Sequence, residues 1–239
     1  MADHSVTLMP RAPFADLPDW PPMPVAGCGV VVEDRDGLGI ATVQARKDRV
    51  SDLARRLRER FSIELPVGAV RTTSGNVALA GIGPGAWLAT CESGANGFAH
   101  GLKEGLAGLA SVSDQSGGYA VLRLSGPNVR DTLYKLVPVD LHPRIFPVGG
   151  VAVTVAAHMG VTLWRLRDDA NDLPVFEMAV YRSFAADFWQ TLRTSASAFG
   201  VAAVCRIVTG RAEHDSRLDT LTGKDDPVSP CSLSLQESS

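Results

Sequence analysis

Two hydrophobic periods alternate along this chain, and the order in which they alternate occurs twice. At residues 119–125, Tyr-Ala-Val-Leu-Arg-Leu-Ser, β-favouring residues form a short run behind Gly117 and Gly118, which predicts a strand. Ser-Gly-Pro follows, and Val129, Leu133 and Leu136 then recur at helical spacing, so a helix over 127–137 is expected to bury one face. Pro127 suits the first turn of that helix, where its missing N–H would be unbonded in any residue. From 48 to 61, Val50, Leu53, Ala54, Leu57 and Phe61 lie on one stripe and predict a second amphipathic helix with a basic outer face. Phe184, Phe188, Trp189, Leu192 and Phe199 predict a third, its aromatic stripe turned into the core and Ser183 available as N-cap.

Residues 41–108 and 120–195 follow one sequence of elements: strand, helix, strands, helix. Ala-Leu-Ala-Gly-Ile-Gly-Pro-Gly-Ala-Trp-Leu-Ala-Thr-Cys in the first copy matches Ala-Val-Thr-Val-Ala-Ala-His-Met-Gly-Val-Thr-Leu-Trp-Arg-Leu in the second. The pattern predicts an α+β fold of two tandem strand-helix-strands-helix, ferredoxin-like units, each a small sheet with helices on one face. The expected organisation is a proline-rich arm over 1–27, a first unit over 28–110, a second over 111–208 packed on it, and a flexible polar tail over 209–239.

Composition narrows the function classes. A net charge of −3 gives no global electrostatic case for nucleic acid or an anionic membrane. No apolar run approaches the roughly 18 to 20 residues that span a bilayer, and the first 25 residues lack a signal peptide's pattern, so a cytoplasmic protein is expected. Cys28, Cys91, Cys205 and Cys231 form no C-x-x-C pair and are expected to be reduced. The five histidines fit no zinc spacing, and no metal site is expected. Arg46, Lys47, Arg49, Arg55, Arg56, Arg58 and Arg60 would suit an acidic partner, but Asp48, Asp52 and Glu59 interleave with them, which favours a solvated helix face.

Candidate chemistry is sparse. Gly81, Gly83 and Gly85 invite a phosphate-loop reading, yet Pro84 interrupts them and Trp-Leu-Ala-Thr-Cys continues as strand, so a hairpin turn is expected. Asp114 and Ser116 precede a strand, where such side chains usually bond nearby backbone. No nucleophile and base pair by spacing, so no catalytic or cofactor-binding residue is assigned.

The segment 114–133, with Val-Pro-Val-Asp-Leu-His-Pro-Arg-Ile-Phe-Pro-Val-Gly-Gly at 137–150, Val-Thr-Leu-Trp-Arg at 161–165 and Val-Phe-Glu-Met-Ala-Val-Tyr-Arg-Ser-Phe-Ala-Ala-Asp-Phe-Trp-Gln-Thr-Leu at 175–192, resembles the gamma subunit of heterotetrameric sarcosine oxidase. That family is distantly similar to the folate-binding aminomethyltransferases, which carry Asp-x-Ser, a strand and Gly-Pro before a helix in the comparable segment. The resemblance covers roughly residues 28–207. It implies an accessory, non-catalytic subunit of a complex that oxidises sarcosine to glycine, passes the methyl carbon to tetrahydrofolate and reduces O2 to H2O2. It implies larger alpha and beta partners and a small delta subunit, with FAD, FMN, NAD and tetrahydrofolate held in the partners and none in this chain. In the aminomethyltransferases the hairpin comparable to 151–166 bends through glycines and acidic residues near folate; here no carboxylate occurs from Val151 to Arg165, and His158 is the only titratable residue at the bend. The alternatives are a small subunit of an N-methylglutamate dehydrogenase complex and a stand-alone folate-binding one-carbon transferase.

Six of the 15 prolines lie between Pro10 and Pro24, which favours polyproline II there. Phe14, Leu17, Trp20 and Met23 are spaced by three and would line one side of such an arm. They are the expected partner contacts.

Overall fold

A computed structural model describes residues 12–14, 17, 27–92 and 97–205, with Val204 and Cys205 described by their backbone. Among these residues the chain forms eleven strands and four α-helices. The first sheet has the order β3-β4-β5-β2-β6 and consists of β2 (Gly39–Ala45), β3 (Arg71–Ser74), β4 (Val77–Gly83), β5 (Ala86–Cys91) and β6 (Ala110–Asp114). The second has the order β11-β1-β7-β10-β9-β8, from β1 (Val30–Asp34), β7 (Tyr119–Ser125), β8 (Val151–Ala156), β9 (Met159–Arg165), β10 (Val175–Tyr181) and β11 (Val201–Cys205). Helices α1 (Val50–Phe61) and α2 (Phe98–Gly105) serve the first sheet, and α3 (Val129–Tyr134) and α4 (Ala185–Ala196) the second.

The period-two alternation of the strands sorts their side chains into layers. Leu53 and Leu57 of α1 and Leu102 of α2 pack with Ala41, Val43, Leu79, Trp87 and Ala89 on one face of the five-stranded sheet. Phe188, Trp189 and Leu192 of α4, with Val129 and Leu133 of α3, pack with Leu122, Leu124, Leu163, Phe176 and Met178 on one face of the six-stranded sheet. The opposite faces meet each other: Ile40, Ala80 and Leu88 from one sheet lie against Val121, Val151, Trp164 and Ala179 from the other. The layers therefore run helices, sheet, sheet, helices, a mixed α+β architecture.

The repeated order of elements is present. In each half a strand, a helix, three strands and a helix follow one another, and β3-β4-β5-β2 has the same spatial order as β8-β9-β10-β7. The halves then diverge. Beside β2 lies β6, the strand after α2, whereas beside β7 lies β1, which precedes the first half in the chain. The strand after α4, β11, pairs parallel to β1 one position further out. The boundary expected at 110/111 is thus not the boundary between sheets, because β1 belongs to the second sheet and β6 to the first.

Three local expectations are corrected. Pro127 is not the first residue of α3 but sits in a turn before it, because the Asn128 N–H is taken by the Gly29 carbonyl at 2.9 Å and the helix begins at Val129. Ser183 does not cap α4; it lies in the 3₁₀ turn Arg182–Phe184, and the position before α4 is Phe184, with no side-chain cap. Phe184 is also exposed, off the buried stripe of Phe188, Trp189 and Leu192. The tail over 209–239 lies outside the described residues.

Candidate functional site

Charged residues interrupt strands that are mostly apolar: Glu33 on β1, Arg123 on β7 and Glu177 on β10. All three occupy registers opposite to the core-facing valines and leucines, so they point into the layer between the sheets. There they meet Arg35, just past β1, and Glu92, just past β5. Arg35 donates through Nε to Glu177 Oε1 at 3.0 Å and through Nη1 to Glu33 Oε1 at 3.0 Å, and it also binds Glu92. Arg123 bonds Glu177 at 2.8 Å and lies within 4 Å of Glu33 and Glu92. The second oxygen of Glu177 accepts the indole N–H of Trp164 at 2.8 Å. Arg71, at the start of β3, adds a third guanidinium close enough to feel Glu177 and Glu92, while burial holds it below its usual range.

Three guanidinium groups thus face three carboxylates, and Arg35 and Glu177 are buried. Isolated charges at this depth would cost several kcal/mol each, so the arrangement persists only because the pairs neutralise one another. The strongest acceptors of the cluster are engaged with cations of the same chain. Its chemistry is to clamp the sheets: β1, β7 and β10 come from one, Glu92 and Arg71 from the other.

Asp34 behaves differently. It is buried at the end of β1, one Oδ atom lacks a hydrogen-bond partner, and burial together with the nearby Asp36 pushes its carboxyl up to about 7. Ser116 and Tyr119 line the same small recess. Ser116 is nevertheless committed to the turn: its Oγ lies 2.7 Å from Asp114 Oδ1 and accepts the Ile40 N–H at 3.0 Å. The Asp114 and Ser116 pair is a backbone-bonding turn, as expected.

Beside the β4–β5 hairpin lies a cavity of about 470 Å³, lined by Val50, Pro66, Val67, Ile82 and Pro84 among others and, from the six-stranded sheet, by Val153. Gly81-Ile82-Gly83-Pro84-Gly85 forms the hairpin between β4 and β5 at its wall, in agreement with the turn reading. The wall is closely drawn: the Gly81 N–H bonds the Val70 carbonyl at 3.0 Å, and a Cβ at Gly81 would fall on the carbonyl oxygen of Gly68. His158 is exposed at the β8–β9 turn beside Ala157, whose φ is 55°.

Of the four arm residues, Phe14 is fully buried in the chain's own six-stranded-sheet core, and Leu17 packs against that core. The expectation that Phe14 contacts a partner is therefore replaced: its ring is covered by this chain. Trp20 and Met23 lie outside the described residues. Neither the charged clamp nor the cavity is named by any motif in the sequence. The available signal for the clamp is a charge set within each mostly apolar strand, at a register that turns it inward.

Comparison with known proteins fits this picture. The family model described as sarcosine oxidase, gamma subunit family, matches residues 48–198. The sarcosine oxidase subunit gamma of an Arthrobacter species is 39% identical over 100 residues, covering 41% of this chain and 49% of that protein. That of Corynebacterium sp. strain P-1 is 38% identical over 103 residues, again covering 49% of its length. The matched part thus spans about half the length of these curated relatives. A chain of the heterotetrameric sarcosine oxidase from Corynebacterium sp. U-96, solved in complex with pyrrole 2-carboxylate, superposes with a TM-score of 0.69 and 25% identity, over 82% of this chain and 98% of that one. The glycine cleavage system aminomethyltransferase T from Bartonella henselae shares the fold, with a TM-score of 0.52 at 13% identity over 74% of this chain and 48% of that one. With its family match extending from α1 through α4, the chain belongs to the sarcosine oxidase gamma subunit family.

Proposed function

We infer that this chain is an accessory, non-catalytic subunit of a heterotetrameric sarcosine oxidase complex in the cytoplasm. The complex takes two electrons from the N-methyl carbon of sarcosine, transfers that carbon to tetrahydrofolate and leaves glycine; O2 accepts the electrons and two protons to give H2O2. FAD, FMN, NAD and tetrahydrofolate belong to the larger alpha and beta subunits in this reading, and a small delta subunit completes the assembly. Within it, the two halves of this chain are tandem copies of one ferredoxin-like unit, which their shared strand order supports.

The observation that carries the accessory role is the internal saturation of the charged clamp. Arg35, Arg123 and Trp164 engage Glu177, so the best-placed buried carboxylate is committed to joining the sheets. A general base needs an acceptor within reach of a substrate proton. The face left for function is apolar and suits docking. Trp20 and Met23 are read as further partner contacts. The test is assembly: the full chain should co-purify with the flavin-bearing subunits, and sarcosine-dependent H2O2 should appear only in the complex. Turnover of sarcosine by the purified chain alone, or a flavin spectrum in it, refutes the accessory role.

A further inference from the structure

The six-stranded sheet ends at β8, and the hydrogen-bond parity of that strand shows where its edge is open. The β8–β9 ladder closes at Ala156 and Met159, so Ala152, Thr154 and Ala156 direct their backbone groups toward β9, while Val151, Val153 and Val155 direct theirs outward. Two hydrogen bonds fix this assignment. The Val151 N–H reaches out to the Ala69 carbonyl at 3.0 Å, and the Ala157 N–H, on the same outward side, reaches the Leu136 carbonyl at 3.0 Å. Between these occupied positions, Val153 and Val155 have no backbone partner across the edge among the described residues.

The gap is already part of a ladder. Val70 bridges Gly150 antiparallel, and the Arg71 N–H bonds the Gly149 carbonyl at 2.7 Å, so a strand from the first sheet runs along the start of β8 and then leaves it. Side chains agree with the backbone. Val153 and Val155 are 60% and 44% exposed, and Val153 lines the 470 Å³ cavity beside the β4–β5 hairpin. Native edge strands are normally guarded by charge, proline or a bulge. Val-Ala-Val-Thr-Val-Ala carries none of these.

We propose that an extended segment of a partner subunit adds to the six-stranded sheet at Val153 and Val155, continuing the pairing that Ala69 begins. Its backbone takes the two open N–H and two open carbonyl groups, and its inward side chains are apolar, entering the cavity beside Val67 and Ile82. The apolar wall excludes a charged segment, because no cation or anion of this chain lines the cavity. The proposal rests on the subunit reading above and names the place where the subunit is held.

Residue-resolved hydrogen exchange on the full chain, alone and reconstituted with the larger subunits, tests it. In the complex the Val153 and Val155 amides should slow on the order of 100-fold, while those of Ala152 and Thr154, already bonded to β9, change little. Val155→Pro removes an outward N–H and no β8–β9 bond, and should weaken assembly about 10-fold or more. Val153→Lys, which places a charge against the cavity, should do the same. A complex that forms with both amides exchanging as fast as in the free chain overturns the proposal and leaves the subunit reading intact. Protection in the chain alone with a doubled mass assigns the edge to a second copy and overturns it too. If no complex forms, both readings fall.

Discussion

Glu177 holds its own sheet through both oxygens: Oε2 takes the indole N–H of Trp164 at 2.8 Å and Oε1 takes Arg35 at 3.0 Å, and Arg35 in turn reaches Glu92 beyond the other sheet. One carboxylate therefore fixes both an aromatic ring of the apolar layer and the guanidinium that closes the polar one. Removing it leaves the buried Arg35 with the part-exposed Glu33 and Glu92 alone.

Glu177→Leu should accordingly cost about 3–5 kcal/mol, the usual penalty for leaving half of a buried pair. Urea unfolding of the purified chain, followed by tryptophan fluorescence, measures it. A loss below about 1 kcal/mol would show that Glu33 and Glu92 suffice to neutralise Arg35.

Asp34 gives stability a pH dependence of definite sign. Burial first, then the charge of Asp36, raises its carboxyl to about 7 from 3.8, against the opposing pull of Arg182 and Arg35. The folded chain thus keeps a proton that the unfolded chain has lost, and this stabilisation is complete below about 4 and gone above about 7. Asp34→Asn should be more stable than the parent by up to about 4 kcal/mol at pH 8 and no more stable at pH 4. A gain independent of pH would mean that Asp34 does not titrate in this window.

Gly81 should tolerate no side chain. Its Cβ would meet the Gly68 backbone, which cannot rotate away, so Gly81→Ala should destabilise by about 1–3 kcal/mol and spread the cavity wall. Thermal unfolding of the variant, compared with Gly83→Ala, whose Cβ would meet only the Ala86 side chain at 4.0 Å, separates this clash from a general loss of glycine.

Phe14 and Trp20 should part company. Phe14→Ala should lower the stability of the isolated chain by about 3–5 kcal/mol, because the ring is buried in the chain's own core. Trp20→Ala, in the proposed partner contact, should weaken co-purification and leave the melting temperature nearly unchanged. A large fall in melting temperature for Trp20→Ala places that residue with Phe14.

The helices were legible because each shows a periodic stripe: Leu53 and Leu57, or Phe188, Trp189 and Leu192, need no partner to be recognised. The repeat was legible for the same reason, since it is an order of local patterns. The insertion of β1 beside β7 was not, because Val-Val-Val-Glu-Asp specifies a strand without specifying its neighbour. The clamp is not legible because Glu33, Glu92, Arg123 and Glu177 are far apart in sequence, and a charge on a strand reads equally as solvent-facing. The open edge at β8 rests on a parity that only the hairpin register supplies. Phe14 was assigned outward because spacing by three says which residues share a side and not what that side faces.

The placement of β1 also fixes an order of events. Val30 pairs with Val201, so the first described strand needs the last described strand as a neighbour, and nearly all the described residues lie between them. The five-stranded sheet uses only residues 39–114 and can form early from nearby pairings; the six-stranded sheet has a much higher contact order and must finish late. A chain cut between 110 and 119 would give fragments that each hold a strand of the other's architecture or lack one of their own. The six-stranded sheet is thus the part that no cut between the halves leaves whole, since β1 lies on one side of the cut and its partners β7 and β11 on the other.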